Sequence, residues 1–550
     1  MSHFSFSDLV DFGERGDYDR LDLASPRVQG DSIVLPSGLL ASLAERAYSE
    51  IAFRMPSSEI ELFASILDDA AASEADRFVA ATLIRNAAVA AEGLYPICQD
   101  TGTAVAYGWR GEKIRVEGES DEAAIAEGAR RAYEAKRLRK SQLGARDFLG
   151  ESNTKDNLPA LVDLRVAGGS EYRICFAAKG GGSANRTSFT MESPSLLREA
   201  DLEAEVEKRI RALGASGCPP YRLGLILGGS GPDQTLYALA LATLGLLDRV
   251  GLAGSAGSGG AAGEANGAPI RDLSWERRML RIAERTGVGA QFGGSRLAAD
   301  ARALRLPRHA ASLPLAMGVS CAAHRRARAV VAADGVFLER LEADPARFLP
   351  RGLPTLGGAR RIDLDKDQAE LASELGSLGA GAFVLLSGTV VVARDAAHAR
   401  FRDLIAAGKE LPGYLLRHPV FYAGPTEAAP GRASGSFGPT TAGRMDAFLE
   451  PLMERGASLV TIAKGARSAS AAASIARRGG AYLGCIGGAA AIAARDHVAS
   501  SEIIDYPDLG MEAVRKVVLR DLPAILLIDS RGRDFYRGLA EDRPRPDAAR

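Results

Sequence analysis

Tyr95-Pro96-Ile97-Cys98-Gln99-Asp100-Thr101-Gly102-Thr103 is the most informative stretch of the chain, because four consecutive positions carry a thiol, a carboxamide, a carboxylate and a hydroxyl. The stretch follows a predicted helix whose end is marked by Gly93, and it opens a segment punctuated by glycine. Polar groups at this density are costly in a hydrophobic core and suit a binding or catalytic site. Because Cys98 lies in such a stretch, the polar or apolar surroundings of each other cysteine are used below to interpret its role.

The composition is that of a soluble globular protein with room for more than one domain. The chain has 550 residues, of which 46% are hydrophobic and 25% are charged. The formal net charge of -1 creates no overall field that would favour nucleic acid or an anionic membrane, so any anion site must be local. The N-terminal sequence lacks the features of a signal peptide, and the apolar runs are shorter than a membrane span. We therefore expect a cytoplasmic protein that binds neither nucleic acid nor membranes.

The cysteines are expected to be free thiols. Their odd number, in a chain without secretion signals, argues against a disulfide framework. Cys175 lies in a segment that alternates like a strand and Cys485 lies in an apolar context, so both are interpreted as small buried side chains. Cys98, Cys218 and Cys321 lie in polar loops marked by Gly or Pro. Their spacing matches no zinc-ribbon or ferredoxin pattern and leaves open whether they bind a metal.

The pattern of apolar residues predicts a mixed α/β protein with two domains. The first third is predicted to be helical and to include a charged helix at 121–142, after which strand signals begin. Residues 251–268 are rich in Gly, Ala and Ser, and they are predicted to form a flexible surface insertion. A segment rich in Pro, Gly and Arg precedes a region of alternating strands and helices. We therefore expect a larger mixed α+β domain at 1–345, a linker at 346–361 and a smaller α/β domain at 362–550.

Several loops carry groups suited to an anion. The run KGGGSANRT at 179–187 follows a predicted strand, and its glycines let backbone N–H groups approach a ligand, although a tight turn explains the same pattern. Arg394 and Lys464 lie close to the ends of predicted strands, where α/β sheets bind ligands. Arg444 ends a Gly-rich run, 438–444, that also carries two hydroxyls. Together these cations predict a dicarboxylate or phosphate site, whereas each one alone is more often a surface charge.

These segments together resemble the class I, iron–sulfur-dependent fumarate hydratases of the single-chain type. The resemblance covers about residues 40–540 and is carried, in order, by YPICQDTGTAVAYG, NLPALVDL, AKGGGSANRTS, LGASGCPPYRLGLILGG, GVGAQFGG, LPRHAAS, MGVSC, LSGTVVVARDAAHA, HPVFYAGP, SGSFGPTTAGRMD and YPDLGMEAV. It implies reversible hydration of fumarate to (S)-malate by a homodimer. It also implies a swivel-type C-terminal domain, with the site in the cleft between the two domains.

The resemblance implies an iron–sulfur cofactor in the N-terminal domain. By position, Cys98, Cys218 and Cys321 hold a [4Fe–4S] cluster, in which three ligands for four irons leave one iron open as a Lewis acid. One departure follows the third cysteine, where Ala322-Ala323-His324-Arg325 replaces the small hydroxyl and the acidic residue usual in the family. The surroundings of Cys321 are therefore expected to differ from those in other members.

The resemblance also assigns catalytic and substrate-binding roles. It implies that Thr440 is the base at C3 and Asp100 its acid/base partner, while Asp100 acting alone is a competing candidate for the base. His309 matches a substrate-pocket histidine of the family. The implied carboxylate-binding residues are Gln99, Arg139, Gly182, Arg394, Arg444 and Lys464.

Other functions fit parts of the pattern. Hydro-lyases that act on tartrate or mesaconate share the cluster and the carboxylate-binding residues, and a pocket discriminates one methyl or hydroxyl group by only about 1–3 kcal/mol. A non-catalytic iron or redox sensor could keep the fold, but it would not need the full set of reactive groups. The groups retained here are Asp100, Thr440, Arg394, Arg444 and Lys464. A nicotinamide-dependent dehydrogenase is disfavoured because no dinucleotide fingerprint is present. Fumarate hydration is therefore the leading prediction.

Overall fold

The computed structural model describes residues 4–251 and 267–541. Positions 252–266 of the predicted surface insertion lie outside the described residues.

Before residue 345 the helices are α1 (Phe6–Leu9), α2 (Leu39–Ile51), α3 (Ser57–Asp68), α4 (Glu74–Ala91), α5 (Asp121–Ala135), α6 (Gly181–Ala184), α7 (Glu199–Leu213), α8 (Pro232–Thr243) and α9 (Leu273–Arg285). The strands of this part are β1 (Tyr18–Arg20), β2 (Arg27–Gln29), β3 (Ser32–Leu35), β4 (Thr103–Gly111), β5 (Ile114–Val116), β6 (Leu143–Ala145), β7 (Glu151–Asn153), β8 (Leu161–Ala167), β9 (Tyr172–Lys179), β10 (Ser188–Glu192), β11 (Tyr221–Gly229), β12 (Ile270–Arg271), β13 (Ala298–Arg308), β14 (Leu313–Ser320), β15 (Arg325–Ala332) and β16 (Gly335–Glu339).

Two mixed sheets organise this part of the chain. The first has the strand order β1-β16-β15-β9-β4-β8, and the second has the order β10-β14-β11-β13-β12. Strand β4 pairs parallel with β8 and antiparallel with β9, while β11 pairs parallel with β13 and antiparallel with β14. Helix α2 is amphipathic, and its apolar face, which includes Leu40, Leu43 and Ala47, is buried.

Two predictions for the first third of the chain are wrong. The segment after Cys98 forms the strand β4, not a helix, and nearly all of its residues are buried. A strand buried on both faces has no apolar–polar alternation to reveal it. The charged helix predicted at 121–142 ends at Ala135, and Arg137 has a φ of 51°, which cannot continue a right-handed helix. Arg139 therefore lies in a loop and not on a solvated helix face.

After residue 360 the structure confirms the predicted alternation of strands and helices. The helices are α10 (Gln368–Leu378), α11 (Asp395–Ala406), α12 (Gly413–Arg417), α13 (Asp446–Met453), α14 (Ala469–Arg478), α15 (Ala490–Ile492) and α16 (Phe535–Glu541). The strands are β17 (Arg360–Asp363), β18 (Phe383–Val392), β19 (Val420–Phe421), β20 (Ala423–Pro425), β21 (Phe437–Pro439), β22 (Val460–Ala463), β23 (Ala481–Cys485), β24 (Val498–Asp505) and β25 (Val514–Ile528). Seven of these strands form one sheet in the order β17-β18-β19-β22-β23-β25-β24. Its first five strands pair parallel, so their carboxyl ends share one edge.

The largest hydrophobic core joins the two parts of the chain. It combines residues of α3 and α4 with residues of the C-terminal sheet. Asn86 of α4 fixes this junction, because its Nδ2 donates to the carbonyl oxygens of Ile97 (2.9 Å) and Gly488 (3.1 Å), and its Oδ1 accepts from the N–H of Ala491 (2.8 Å). The loop that carries Cys98 is thereby held against the C-terminal part. None of the helices in the described part of the chain is long and apolar enough to cross a membrane.

Candidate active site

A cavity of about 390 Å³ is lined by loops from both parts of the chain. Its wall brings together every residue that the sequence assigned to the site except His309. Those residues are Cys98, Gln99, Asp100, Arg139, Gly182, Cys218, Cys321, Arg394, Thr440, Arg444 and Lys464. Residues separated by hundreds of positions in the sequence therefore share one pocket, of a size that suits a small molecule.

His309 does not line this cavity within a single chain. It lies in the exposed turn between β13 and β14, and its Nδ1 accepts a hydrogen bond from the N–H of Ala311 at 3.2 Å. The expectation that this imidazole belongs to the pocket is not met by the single chain, because the turn that carries it is exposed to solvent. Its substrate-pocket role stays a prediction.

The C-terminal part of the chain presents three site residues near strand ends, two after strands of the seven-stranded sheet and one after the β20-β21 pair. Arg394 follows β18, Thr440 follows β21 and Lys464 follows β22. The N–H of Lys464 donates to the carbonyl oxygen of Thr440 at 3.1 Å, and the N–H of Thr440 donates to the carbonyl oxygen of Tyr422 at 2.8 Å. These backbone bonds hold the backbones of Thr440 and Lys464 beside each other. The edge formed by the parallel strand ends is the expected position for a ligand in an α/β sheet.

The three loop cysteines come from separate segments of the N-terminal part. Cys98 lies between α4 and β4, Cys218 between α7 and β11, and Cys321 directly after β14. The N–H of Ala322 donates to the carbonyl oxygen of Cys218 at 3.0 Å, which joins the second and third loops. Cys218 has a φ of 64°, which is uncommon for a residue other than glycine. Such backbone conformations cluster at functional sites. All five cysteines are free thiols, as predicted.

The environment of the three thiols fits a cluster that is bound through sulfur. Burial raises the pKa of the Cys98 thiol to about 12, and burial also raises the pKa of Cys218 against the opposing charge of Lys464. The Nζ atom of Lys464 lies 2.6 Å from Cys218 Sγ, so a cation is available to compensate bound thiolates. Thiolates are soft ligands that select zinc, copper(I) or iron–sulfur centres.

The described residues contain no set of three or more His, Cys, Asp or Glu side chains that could hold a single metal ion. This arrangement is compatible with a cluster, because each cysteine of a [4Fe–4S] cluster binds a different iron. Because Gly487 has no side chain, it leaves room beside the Cys218 thiol. A Cβ atom at this position would lie 2.3 Å from Cys218 Sγ and 2.9 Å from Lys464 Cδ.

Gly487→Ala is expected to reduce cluster occupancy strongly, because the added methyl group would displace the Cys218 thiol or the Lys464 side chain. The measurement is iron and sulfide content after anaerobic reconstitution. Gly413→Ala is the matched control, since no heavy atom lies within 4 Å of a Cβ at that position. Wild-type iron content in Gly487→Ala would show that this space is not needed for cofactor binding.

Asp100 is held by backbone N–H groups. Its Oδ2 accepts from the N–H of Gly181 at 2.8 Å, and its Oδ1 accepts from the N–H of Gly102 at 3.2 Å. Burial opposes ionisation of this carboxyl, but the charges of Arg139 and Arg325 outweigh burial and hold its pKa below the usual range. Asp100 is therefore an ionised carboxylate that can accept a proton.

Opposite the thiols, guanidinium groups gather around one carboxylate. Arg394 forms an ion pair with Glu512, and Arg139 Nη2 lies 3.9 Å from Glu512 Oε1. Burial and the neighbouring Arg139 lower the pKa of Arg394 to about 10, which still leaves it charged at neutral pH. Arg444 donates to Thr440 Oγ1 and lies 3.2 Å from Asp395. This concentration of positive charge suits an anionic ligand.

Two further predicted residues complete the wall. Gln99 reaches across the cleft, where its Nε2 donates to the carbonyl oxygen of Pro439 at 3.2 Å. Gly182 lies in the short helix α6, and a Cβ atom there would lie 3.5 Å from Lys464 Nζ. A backbone without a side chain at this position allows a ligand to approach closely.

The sequence comparisons agree with this site. The family model described as Fumarate hydratase (Fumerase) matches residues 41–330, and the model described as Fumarase C-terminus matches residues 335–539. The anaerobic class I fumarate hydratase of Escherichia coli strain K12 is 40% identical over 500 residues, which cover 90% of this chain and 89% of that protein. The chain belongs to the class I fumarate hydratase family. Fumarate hydratase 2 of Leishmania major is likewise 40% identical over 500 residues, covering 90% of this chain and 84% of that protein.

Membership of the class I fumarate hydratase family makes this chain an enzyme of the hydro-lyase class, and not a non-catalytic sensor. A more distant relative is the putative L(+)-tartrate dehydratase subunit alpha of Methanocaldococcus jannaschii. It is 29% identical over 265 residues, which cover 46% of this chain and 85% of that subunit.

Two charged residues of the cavity were not predicted from the sequence. Glu512 lies in the run YPDLGMEAV, and Arg325 lies four positions after Cys321. The charge of Arg394 outweighs burial and lowers the pKa of Glu512, so the pair is ionic. The Arg325 guanidinium lies close enough to Asp100 to lower the pKa of its carboxyl. Both residues lie in runs that the sequence analysis quoted, but nothing in those runs indicated that the two charges face the cavity.

Proposed function

We propose that this chain catalyses the reversible hydration of fumarate to (S)-malate with a [4Fe–4S] cluster held by Cys98, Cys218 and Cys321. The observation that carries the proposal is the single cavity whose wall combines three thiols, an ionised carboxylate, a hydroxyl and several cations. Relatives named fumarate hydratase that are 40% identical over 90% of the chain support the substrate. When bound, the cluster supplies a Lewis-acidic iron for the hydroxyl group at C2.

The cations bind and orient a dicarboxylate in this proposal. Arg139 and Arg394 share Glu512, and Arg444 contacts Thr440, so these guanidiniums lie on the C3 side of the proposed substrate. Lys464 lies beside Cys218 and serves the thiol side of the pocket. Guanidinium groups bind carboxylates through paired hydrogen bonds, which fix orientation as well as adding affinity. A dicarboxylate that is held at both ends presents its C2 atom to the thiol side of the cavity and its C3 atom to the opposite side.

Asp100 and Thr440 handle the C3 proton in this proposal. The Thr440 hydroxyl is a weak base by itself, but the Arg444 guanidinium donates to its Oγ1 and stabilises negative charge there. Asp100 is ionised and held by two backbone N–H groups, so it is prepared to accept or return a proton. The two residues approach the cavity from opposite parts of the chain. A homodimer and the domain division at 346–361 are further parts of this proposal.

Anaerobically reconstituted enzyme is expected to turn over fumarate with a larger kcat/KM than mesaconate or tartrate. The reaction is followed by the loss of fumarate ultraviolet absorbance, with mesaconate and tartrate assayed in parallel. Iron and sulfide are quantified in the same sample, so that inactivity through cluster loss is distinguished from a wrong substrate. Turnover of tartrate or mesaconate without turnover of fumarate would contradict the assignment.

A further inference from the structure

A buried charged group lies behind the loops that carry Cys218 and Cys321. It consists of Glu59 in the first turn of α3, Arg222 at the start of β11 and His324 just before β15. All three side chains are buried, with 3%, 7% and 4% of the residue surface exposed. Charged groups are rarely buried to this extent unless they are paired. The proposed mechanism does not use any of them.

Glu59 is the centre of this group. Arg222 Nη2 donates to Glu59 Oε1 at 2.8 Å, and His324 Nε2 lies 4.0 Å from the same oxygen. Arg222 is four positions after Cys218, and His324 is three positions after Cys321. The ion pair with Arg222 ties Glu59 to the segment that follows Cys218, and His324, in the segment that follows Cys321, packs beside the same oxygen without a hydrogen bond. The backbone bond from Ala322 N–H to the carbonyl oxygen of Cys218 joins the same two segments on the ligand side.

The charges in this group are well defined. Burial opposes ionisation of Glu59, but the surrounding cationic groups, with Arg222 the strongest, outweigh it and lower its pKa to about 2. Burial lowers the pKa of His324 to about 4 against the opposing influence of Glu59, with Arg222, Arg326 and Lys179 as neighbouring cations. At neutral pH, Glu59 is thus an anion and His324 is neutral. Among the described residues, His324 Nε2 has no hydrogen-bond partner, and Glu59 Oε1 lies 4.0 Å from it.

We propose that Glu59 is a positioning residue for the iron–sulfur site, which acts through its ion pair with Arg222 on the Cys218 loop and through packing beside His324 on the Cys321 loop. The inference rests on the proposed ligand set. It follows from three separate chain segments meeting at one carboxylate, because fixing the two loops to α3 fixes the relative positions of their thiols. Partners that orient metal ligands are known to influence metal affinity by about 10–100-fold without binding the metal themselves.

Loss of the Glu59 charge is expected to act locally. Arg222 Nη1 also pairs with Asp300 at 2.8 Å, so the guanidinium keeps an anionic partner when Glu59 is neutralised. The loops would then lose their common anchor while the buried arginine stays compensated. Glu59→Gln is therefore a usable probe, since it keeps the shape of the side chain and removes the charge.

The test compares anaerobically reconstituted Glu59→Gln with Glu276→Gln, which removes another buried carboxylate. Glu276 pairs with Arg271 at 2.7 Å, and its Oε1 accepts from the N–H of Ala303 at 3.2 Å; both partners lie outside the cysteine loops. Glu59→Gln is expected to release iron to a chelator about 10–100-fold faster than wild type and to change the electron paramagnetic resonance spectrum of the reduced cluster. Glu276→Gln is expected to match wild type in both readouts, whatever its effect on thermal stability.

Exchange of the two residues provides a second test. Glu59→His combined with His324→Glu restores a carboxylate and an imidazole to the same space, whereas His324→Glu alone places two carboxylates together. The double variant is expected to retain iron better than either single variant. If the two substitutions only added their separate destabilising effects, the double variant would retain less iron than either of them. This test also serves if Glu59→Gln does not fold.

Two results would overturn the inference. One is wild-type iron release and spectrum in Glu59→Gln, and the other is equal loss of iron in Glu59→Gln and Glu276→Gln. Both leave the proposed function intact if the wild-type enzyme binds its cluster through the three loop cysteines. Failure of the proposed function would instead appear as unchanged iron content in the cysteine variants themselves.

Discussion

Cys98→Ser, Cys218→Ser and Cys321→Ser are each expected to abolish cluster binding and, with it, hydratase activity. A serine hydroxyl is a harder and far less acidic ligand than a thiol, and three protein ligands leave no spare donor to replace a lost one. Cys175→Ser and Cys485→Ser are expected to keep the cluster, because these thiols lie in β9 and at the end of β23, outside the cavity wall.

The measurement is iron and acid-labile sulfide per chain after anaerobic reconstitution, followed by activity. The two control variants each place a hydroxyl in a buried apolar position, which costs roughly 1–3 kcal/mol of stability. Thermal unfolding should therefore show lower stability for the controls at full iron content. The ligand assignment fails if all five variants contain equal iron, or if a control variant loses the cluster and a loop variant keeps it.

The fold was predictable where local periodicity and tertiary burial agree. The predicted alternation of strands and helices is seen in β18 and α11, and Arg394 lies between them, close to a strand end as predicted. Strand β4 was missed because its residues are buried on both faces, which removes the alternation that identifies a half-exposed strand. The charged helix was predicted too long, because Arg137 leaves the helical conformation although its neighbours are good helix formers. Whether a residue other than glycine adopts the left-handed conformation depends more on its tertiary contacts than on its amino-acid type.

The site was predictable as a set of chemical groups but not as an arrangement. Cations near strand ends indicated an anion site at the edge of the C-terminal sheet, and Arg394 and Lys464 lie there. Glu512 and Arg325 lie in runs that the sequence analysis quoted, but a single charged residue in such a run is not by itself a sign that it faces a pocket. His309 shows the opposite case, in which a recognisable run lies on an exposed turn outside the cavity of the single chain. Sequence reasoning identifies reactive groups, and only the fold decides which of them meet.

Asp100→Asn and Thr440→Val are each expected to lower kcat by about 10²–10⁴-fold with little change in iron content, because both remove a group that handles the C3 proton. Asn keeps the shape of Asp100 but cannot accept a proton as a carboxylate does. Val keeps the shape of Thr440 but removes the hydroxyl to which Arg444 donates. Thr461→Val is the matched control, since Thr461 is a buried threonine in β22 that does not line the cavity.

The double variant decides which residue is the base. If Thr440 removes the proton and Asp100 is its acid/base partner, the two act as a unit, and the Asp100→Asn/Thr440→Val enzyme should be about as slow as the worse single variant. If Asp100 acts alone, Thr440→Val should be only mildly impaired and the two effects should multiply. Exchange of the C3 hydrogen of malate with deuterated solvent measures this step separately from loss of the C2 hydroxyl. Normal C3 exchange in both single variants would remove both residues from the proton-transfer role.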